Sequence, residues 1–405
     1  MLSSYCKRIL FRCPYAGESP SHLRVSPNAV RLLQRSLSTF TQFNENESEY
    51  ESLRQDYARQ IDTLPEVQAW KRLLEHFSKS HSSFARHTKS SNRAQSESSL
   101  SFPNDQLPLL VDSMLTTFAL HVESRIASLV GKGFYTIGPC GEETLAAAAL
   151  ALQPQDSMAL HYRHLGIQIM RQLVTLESDA GGGADYDGYL QQIILDRARG
   201  YTVSRNDPVT GGVHCSIGST NANDYVVTST LASQCSPAVG RALATSFVES
   251  DTRAVSFVTL GDGSLHHGHF WSAFHLARHA RHKRIKCPVV FGISDNGLSI
   301  SYDTKGYCKT LFGKDDLVPL FEVDGNDFDA VCSKSKEAME YSSTYNEDLD
   351  PNSNAMLEYL VYLMPFLRLF LDRTLCRSCC YIVPELTASL WSCCHGSSIC
   401  LLGGS

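Results

Sequence analysis

Two polar turns, each after an apolar stretch, carry the residues of this 405-residue chain that are best suited to chemistry. Asp262 lies between two glycines directly after residues 254–260, and Asn296 follows the second apolar stretch at 289–293. Flanking glycines permit a sharp turn and a close approach of a ligand to the backbone. A carboxylate and an amide oxygen are hard ligands suited to Mg²⁺, which commonly binds together with phosphates. This pair therefore predicts a Mg²⁺ site that holds a diphosphate.

A strand–helix–strand unit is predicted to bring these two turns together. Residues 254–260 and 289–293 are typical of buried strands, and neither Pro nor Gly interrupts a helix from His269 to Lys283. In a β-α-β unit the strands are parallel, so both turns lie at their carboxyl ends, where open α/β sheets bind ligands. We therefore predict an α/β fold with a largely parallel sheet flanked by helices.

Composition and charge are those of an ordinary globular protein. The net charge of −6 gives no electrostatic reason to expect a nucleic acid partner. The apolar run 356–371 is short for a membrane span and contains three interrupting residues, so we interpret it as a buried helix or a chance run. The 14 cysteines follow no secretory signal, which favours reduced thiols in an intracellular compartment.

The first 43 residues predict a transit peptide of the mitochondrial or plastid type, and we expect the mitochondrial matrix. They hold six basic residues and one acid, whereas acidic residues begin abruptly at Glu45. A disordered basic tail is the alternative. Residues 44–105 are predicted to be a helical and Ser-rich linker region, and 106–341 the ligand-binding domain. Residues 342–405, which are rich in Cys and Leu, are predicted to lie outside this fold.

Four further polar features are weak signals when each is taken alone. Tyr162 and Arg163 follow a short strand-like stretch, and a phenol and a guanidinium are both donors to phosphate oxygens. His214 lies in a glycine-rich turn, and His266 directly follows the Asp262 turn. The hydroxyl and amide side chains of residues 228–234 offer oxygen ligands to a monovalent cation or donors to phosphate, or they cap the following helix.

The order of these pieces is more specific than any one of them. The stretch from Gly261 to Asn296 resembles the thiamine diphosphate motif, which begins with Gly-Asp-Gly and ends with an Asn. Residues 107–340 resemble the alpha subunit of the thiamine diphosphate-dependent 2-oxoacid dehydrogenases, the decarboxylating component of the branched-chain and pyruvate complexes. The sequence around Gly261–Ser301 especially resembles that of chains in which the alpha and beta portions are fused. The pieces that match in family order are Met114–Gly133, Gly141-Glu142-Glu143, Tyr162-Arg163, Gly211–His214, Ser229–Gln234, the Gly261–Asn296 motif and Val323–Asp327.

This resemblance implies the thiamine diphosphate-binding fold and a role for each matching residue. The implied Mg²⁺ ligands are Asp262, Asn296 and the carbonyl of Leu298. The implied diphosphate contacts are Gly261, Gly263, Ser264, Tyr162 and Arg163. Positions that line a potassium site in branched-chain members are Thr228, Ser233 and Gln234. The candidate catalytic residues are His214 and His266.

The implied activity is oxidative decarboxylation of a 2-oxoacid, dependent on thiamine diphosphate and Mg²⁺, with acyl transfer to a lipoyl acyltransferase partner. A beta-type partner is also implied, because the half of the family site that grips the aminopyrimidine is not recognisable here. The alternative is a catalytically incomplete cofactor-binding or interaction subunit, since no catalytic His loop is recognisable after Tyr341. Two departures from the family stand out. The spacing from Asp262 to Asn296 is 34, several residues longer than usual, and Ser294 replaces an Arg that contacts the diphosphate in branched-chain alpha subunits.

Overall fold

The fold is an alternation of helices and parallel strands, seen in a computed structural model of the chain. The structure describes residues 47–72, 100–134, 137–139, 141–180, 185–213, 218–221, 223–226, 229–247, 253–299, 302–313, 320–344 and 358–364. Within these ranges, no helix has both the length and the apolar character that crossing a membrane requires.

The helices are α1 (Glu47–Asp56), α2 (Ala58–Thr63), α3 (Gln106–Leu129), α4 (Leu165–Ala180), α5 (Tyr186–Tyr201), α6 (Cys235–Ala244), α7 (Gly268–His282), α8 (Tyr307–Phe312) and α9 (Phe328–Thr344). Residues 65–72 are also helical. Short 3₁₀ helices span Glu143–Ala151, Thr245–Phe247 and Asp262–His266. The strands are β1 (Ser157–Ala159), β2 (Ser256–Gly261), β3 (Val289–Ser294), β4 (Leu320–Asp324) and β5 (Glu358–Met364).

These five strands form one sheet in the order β1-β2-β3-β5-β4, and every neighbouring pair is parallel. The predicted α/β class with a parallel sheet is therefore confirmed. Gly261 pairs with Ser294, so β2 and β3 end side by side. The predicted helix between them is also confirmed, as α7. The carboxyl ends of β1, β2 and β3 consequently lie next to one another.

The apolar side chains of β2 and β3 point alternately to two cores on opposite faces of the sheet. Phe257 and Val290 belong to the core that includes α3, α4 and the alanine-rich 3₁₀ helix. Leu260 and Phe291 belong to the second core, with the buried faces of α6 and α7. Strand side chains alternate between faces, and a parallel sheet covered on both sides needs apolar residues on both. This explains why both strands are apolar almost throughout.

The N-terminal helices pack against α3 rather than forming a loose link to it. Tyr50 and Trp70 are buried, and the Trp70 ring lies 5.7 Å from the ring of Phe118. Arg54 also donates to Glu123 of α3 across 3.0 Å, with both side chains largely buried. The helical part of the predicted 44–105 region is thus integrated into the core, whereas residues 73–99, which hold most of its Ser-rich part, lie outside the described residues.

Strand β5 differs from what the sequence suggested. The interpretation of 356–371 as a buried helix is wrong for Glu358–Met364, which forms a strand between β3 and β4. A short apolar run does not reveal by its periodicity whether it is a buried helix or a central strand. The sheet therefore continues beyond Tyr341, where we expected the fold to end. The remainder of the predicted tail, 365–405, lies outside the described residues.

Candidate functional site

The turns that follow β2 and β3 meet, as the sequence predicted. The backbone N–H of Gly297 donates to Oδ2 of Asp262 across 3.1 Å, and the N–H of Gly263 donates to Oδ1 across 2.8 Å. The hydroxyl of Thr304 also donates to this carboxylate. Gly297 adopts a φ of 72°, a backbone conformation that residues other than Gly rarely take. Backbone and hydroxyl donors from separate segments therefore fix the orientation of Asp262.

A second carboxylate lies against the first. The side chains of Asp262 and Asp295 are hydrogen-bonded to each other and both are buried. Burial, reinforced by the charge of Asp295 and opposed by the Thr304 hydrogen bond, raises the pKa of Asp262 to about 7. Two adjacent buried carboxyl groups are unfavourable when both are ionised, and a nearby cation relieves this repulsion. The pair is thus chemically suited to a divalent metal ion.

The turn after β2 combines a crowded glycine with a hydroxyl that lacks a partner. A Cβ atom on Gly263 would lie 2.8 Å from Oγ of Ser299, so a side chain at this position would have to displace Ser299. The Ser264 hydroxyl is buried and has no hydrogen-bond partner among the residues the structure describes. A buried hydroxyl without a partner is costly, and a ligand oxygen would satisfy it. These features fit a diphosphate at the predicted Gly261–Ser264 turn.

Asn296 and Leu298 continue the turn after β3. The Nδ2 of Asn296 donates to Oε1 of Glu142 across 3.0 Å, and its Oδ1 accepts the N–H of Leu298 at 2.9 Å. Leu298 is exposed and forms an isolated antiparallel bridge with Asp303. The structure therefore places both predicted metal ligands beside the Asp262 carboxylate turn, and their coordination of Mg²⁺ stays a prediction.

Tyr162 and Arg163 lie in the turn after β1, next to the end of β2. The Tyr162 ring centroid is 3.9 Å from that of His161, and the Arg163 guanidinium is 5.5 Å from the Tyr162 ring. Arg163 Nη1 donates to the carbonyl of Gly138 across 2.8 Å, which uses part of its hydrogen-bonding capacity within the fold. The contact of Tyr162 and Arg163 with a diphosphate stays a prediction.

Three buried residues behind these turns had no role in our sequence prediction of the site. They are Glu142, His161 and His164, and the two histidines flank the Tyr162-Arg163 pair. The sequence signal that could have identified the two histidines is their position directly after the predicted strand at 157–160. Burial, with the charges of His164 and Arg163, lowers the pKa of His161 well below its ordinary value.

Glu142 is the centre of this buried group. Its Oε2 lies 2.8 Å from Nε2 of His164, while its Oε1 binds Asn296. Burial alone would raise the pKa of Glu142, but hydrogen bonds from His164 and Asn296 and the nearby positive charge of Arg163 lower it overall. Through these contacts Glu142 links the turn after β1 to the turn after β3.

The same three side chains could in principle hold a metal ion, since their ligand atoms all lie within 4.8 Å of one another. However, both oxygens of Glu142 and both ring nitrogens of His164 already have hydrogen-bond partners. Metal binding would break several of these bonds. The geometry favours a hydrogen-bonded cluster over a metal centre.

The remaining predicted residues that the structure describes have contacts with groups other than the carboxylates of Asp262 and Asp295. His266 is exposed, stacks on Tyr307 at 4.1 Å and meets the edge of Tyr302 at 5.2 Å. Gln234 donates through Nε2 to the carbonyl of Thr259 across 2.7 Å, which joins the start of α6 to β2. Ser233 is half-buried beside it. The other two predicted residues, His214 and Thr228, lie outside the described residues.

Comparisons with known proteins identify the family. The family model described as "Dehydrogenase E1 component" matches residues 114–362, more than half of the chain. The chain is 26% identical over 237 residues to the mitochondrial 2-oxoisovalerate dehydrogenase subunit alpha of Caenorhabditis elegans, covering 56% of this chain and 47% of that protein. It is 29% identical over 205 residues to the mitochondrial 2-oxoisovalerate dehydrogenase subunit alpha 2 of Arabidopsis thaliana, covering 49% and 38%.

A third relative is a bacterial protein. The pyruvate dehydrogenase E1 component subunit alpha of Acholeplasma laidlawii is 34% identical over 114 residues, covering 27% of this chain and 31% of that protein. The chain thus spans about half or less of the length of the curated relatives it matches. Because the family match includes every turn of the site, from Glu142 to Leu298, this chain belongs to the dehydrogenase E1 component family, as an alpha-subunit-type member of the thiamine diphosphate-dependent 2-oxoacid dehydrogenases.

Proposed function

We propose that this chain is the alpha portion of a 2-oxoacid dehydrogenase that decarboxylates its substrate oxidatively and transfers the acyl group to a lipoyl partner. One observation carries the proposal: within the family match, the turn after β3 binds the Asp262 carboxylate through Gly297 across 3.1 Å. The names of two relatives, both 2-oxoisovalerate dehydrogenase alpha subunits, make a branched-chain 2-oxoacid the first substrate to test.

The residues present fit the proposed cofactor and metal. Asp262, Asn296 and the carbonyl of Leu298 would hold Mg²⁺, which would also relieve the repulsion between the adjacent carboxyl groups of Asp262 and Asp295. Gly261, Gly263 and the unsatisfied Ser264 hydroxyl would contact the diphosphate. When bound, thiamine diphosphate supplies the nucleophilic carbon and the electron sink for decarboxylation.

The remaining residues of the chain would orient the diphosphate. Tyr162 and Arg163 would donate to its oxygens, because a phenol and a guanidinium are strong donors to phosphate. His161 is held uncharged by burial beside Gly261, so it offers a hydrogen bond there without adding charge. A K⁺ ion is proposed to bind at Thr228, Ser233 and Gln234. Because Nε2 of Gln234 donates to the carbonyl of Thr259, the side-chain oxygen of Gln234 would be the atom that coordinates K⁺.

The proposed assembly includes a beta-type subunit and a lipoyl acyltransferase component. The beta-type subunit would complete the cofactor site, so we expect no decarboxylation from this chain alone. His214 and His266 are the proposed catalytic residues of this chain. The proposed location is the mitochondrial matrix, which the basic, Ser-rich residues 1–43 and the mitochondrial names of two relatives support.

One observation favours a second candidate, a catalytically incomplete cofactor-binding or interaction subunit. Ser294, at the position where the resemblance implies an Arg, is fully buried and its Oγ lies 3.2 Å from Nε2 of His164. This position therefore offers no positive charge to a diphosphate. Turnover measured after reconstitution with a beta-type subunit separates the two candidates.

The test of the proposal is calorimetric titration of the chain with thiamine diphosphate in the presence and absence of Mg²⁺. We expect Mg²⁺-dependent binding that Asp262→Ala weakens by at least about tenfold, the lower end of losses seen around metal sites. Asp324→Ala is the matched control, since Asp324 is exposed at the carboxyl end of β4. Equal binding by the wild type and Asp262→Ala would remove the assignment.

A further inference from the structure

A continuous chain of hydrogen bonds connects β2 to the side chain of Asn296. The backbone N–H of His161 donates to Oγ1 of Thr259 across 2.8 Å, and this hydroxyl lies 2.8 Å from Nδ1 of His164. His164 Nε2 lies 2.8 Å from Glu142, whose other oxygen accepts from Asn296 across 3.0 Å. Every link is buried except the last, where Asn296 is half-buried at the edge of the site.

The chemistry of the groups fixes the donors at both ends of this chain of hydrogen bonds. The backbone N–H of His161 and the side-chain NH₂ of Asn296 can only donate, so Thr259 Oγ1 accepts at one end of the chain and Glu142 Oε1 accepts at the other. Between them, the two ring nitrogens of His164 bridge the Thr259 hydroxyl and the Glu142 carboxylate, each across 2.8 Å. No bond in this network opposes another.

The same reasoning fixes which way the Asn296 amide faces. Glu142 accepts from the NH₂ end, and the backbone N–H of Leu298, which can only donate, requires the carbonyl end on the other side. There Oδ1 accepts one hydrogen bond, from Leu298 across 2.9 Å, and an amide oxygen has two lone pairs. Among the described residues, the second lone pair of Oδ1 has no partner, which suits it to a ligand.

We propose that Glu142, held by His164, is a positioning residue that fixes the Asn296 amide with its oxygen toward the metal ion. This inference rests on the proposed function and goes beyond it, since it gives the metal site a buried support formed by Glu142, directly before the alanine-rich 3₁₀ helix, and His164, in the turn after β1. Partners of metal ligands orient them, and losing such a partner typically lowers metal affinity about 10- to 100-fold.

The test compares Mg²⁺ affinity, measured calorimetrically with thiamine diphosphate present, in the wild type and three variants. In Glu142→Gln one end of the new amide is a donor, so it cannot accept from both His164 and Asn296. We expect the dissociation constant for Mg²⁺ to rise about 10- to 100-fold. Asn296→Ala should weaken binding at least as much. The double variant should be within about twofold of Asn296→Ala alone, because Glu142 acts through Asn296.

Glu123→Gln is the matched control, since Glu123 is another buried glutamate that accepts a side-chain hydrogen bond, from Arg54 across 3.0 Å, but lies in α3. It should leave Mg²⁺ affinity unchanged. Glu142→Asp, which keeps the charge but shortens its reach, replaces Glu142→Gln if that variant does not fold. A cofactor-free readout is the denaturant midpoint, where the shifts from Glu142→Gln and Asn296→Ala should not add.

Three outcomes would overturn the proposal in distinguishable ways. Wild-type Mg²⁺ affinity in both Glu142 variants would refute the positioning role while leaving the proposed function intact. Losses that add in the double variant would show that Glu142 acts independently of Asn296. Stabilisation by Zn²⁺ that needs His164 but not thiamine diphosphate would instead identify a transition-metal site. No binding of Mg²⁺ or cofactor by the wild type, either alone or reconstituted with a beta-type subunit, would refute the proposed function itself.

Discussion

Replacing Asp112 with Asn should change how the stability of this protein depends on pH. Asp112 lies in α3 and is 3% exposed, and its Oδ2 accepts the hydroxyl of Tyr186 across 2.8 Å. Its Oδ1 is buried and has no partner among the described residues. Burial, opposed in part by this hydrogen bond, raises the pKa of Asp112 from 3.8 to about 6.

The magnitude follows from the two pKa values. Between about pH 4 and pH 6 the folded protein holds a proton that the unfolded chain has lost, so the free energy of unfolding falls as the pH rises. The difference of about two pKa units corresponds to about 3 kcal/mol. The Asp112→Asn variant carries no such group. Its stability relative to the wild type should therefore increase by up to about 3 kcal/mol from pH 4 to pH 7.

The assay is denaturant unfolding of both proteins at intervals from pH 4 to pH 8. The change with pH isolates the ionisation, because any cost of burying the Asn amide is the same at every pH. Asp105→Asn, at an exposed position directly before α3, is the control. A difference between Asp112→Asn and the wild type that stays constant across this range would refute the reasoning.

Two other substitutions test packing beside the site and at the N-terminal helices. Gly263→Ala should cost about 1–3 kcal/mol in thermal or chemical unfolding, because its Cβ would lie 2.8 Å from the Ser299 hydroxyl, and Ser299→Ala should restore part of the loss. An unchanged midpoint in Gly263→Ala would contradict the close contact. Arg54→Met should cost about 3–5 kcal/mol by leaving Glu123 buried without its partner, and adding Glu123→Gln should recover stability. If the double variant is no more stable than Arg54→Met alone, the buried pair is not what links α1 to α3.

The parts of the site that follow from local pattern could be read from the sequence. Asp262 and Asn296 each follow an apolar strand, and parallel pairing of those strands is enough to bring their turns together. The link from His164 through Glu142 to Asn296 could not be read in this way. It depends on the order of strands in the sheet and on which buried groups face one another, neither of which is encoded by spacing along the chain.

The same limit explains the error at β5. Residues 359–364 are apolar and have no clear alternation, and in sequence a central strand of a parallel sheet has the same appearance as a short buried helix. Only pairing with β3 and β4 decides between them. The family resemblance also gave no guidance there, because its recognisable pieces ended near residue 340.

The position of β5 has a consequence for how the protein folds during synthesis. Within the described sheet, β4 pairs only with β5, and β5 is translated after every other strand. Until it emerges from the ribosome, β3 has an open edge and β4 has no neighbour to pair with. Pairings between segments distant in the chain form slowly, and open strand edges promote aggregation. Chains interrupted before residue 358 should therefore depend heavily on chaperones.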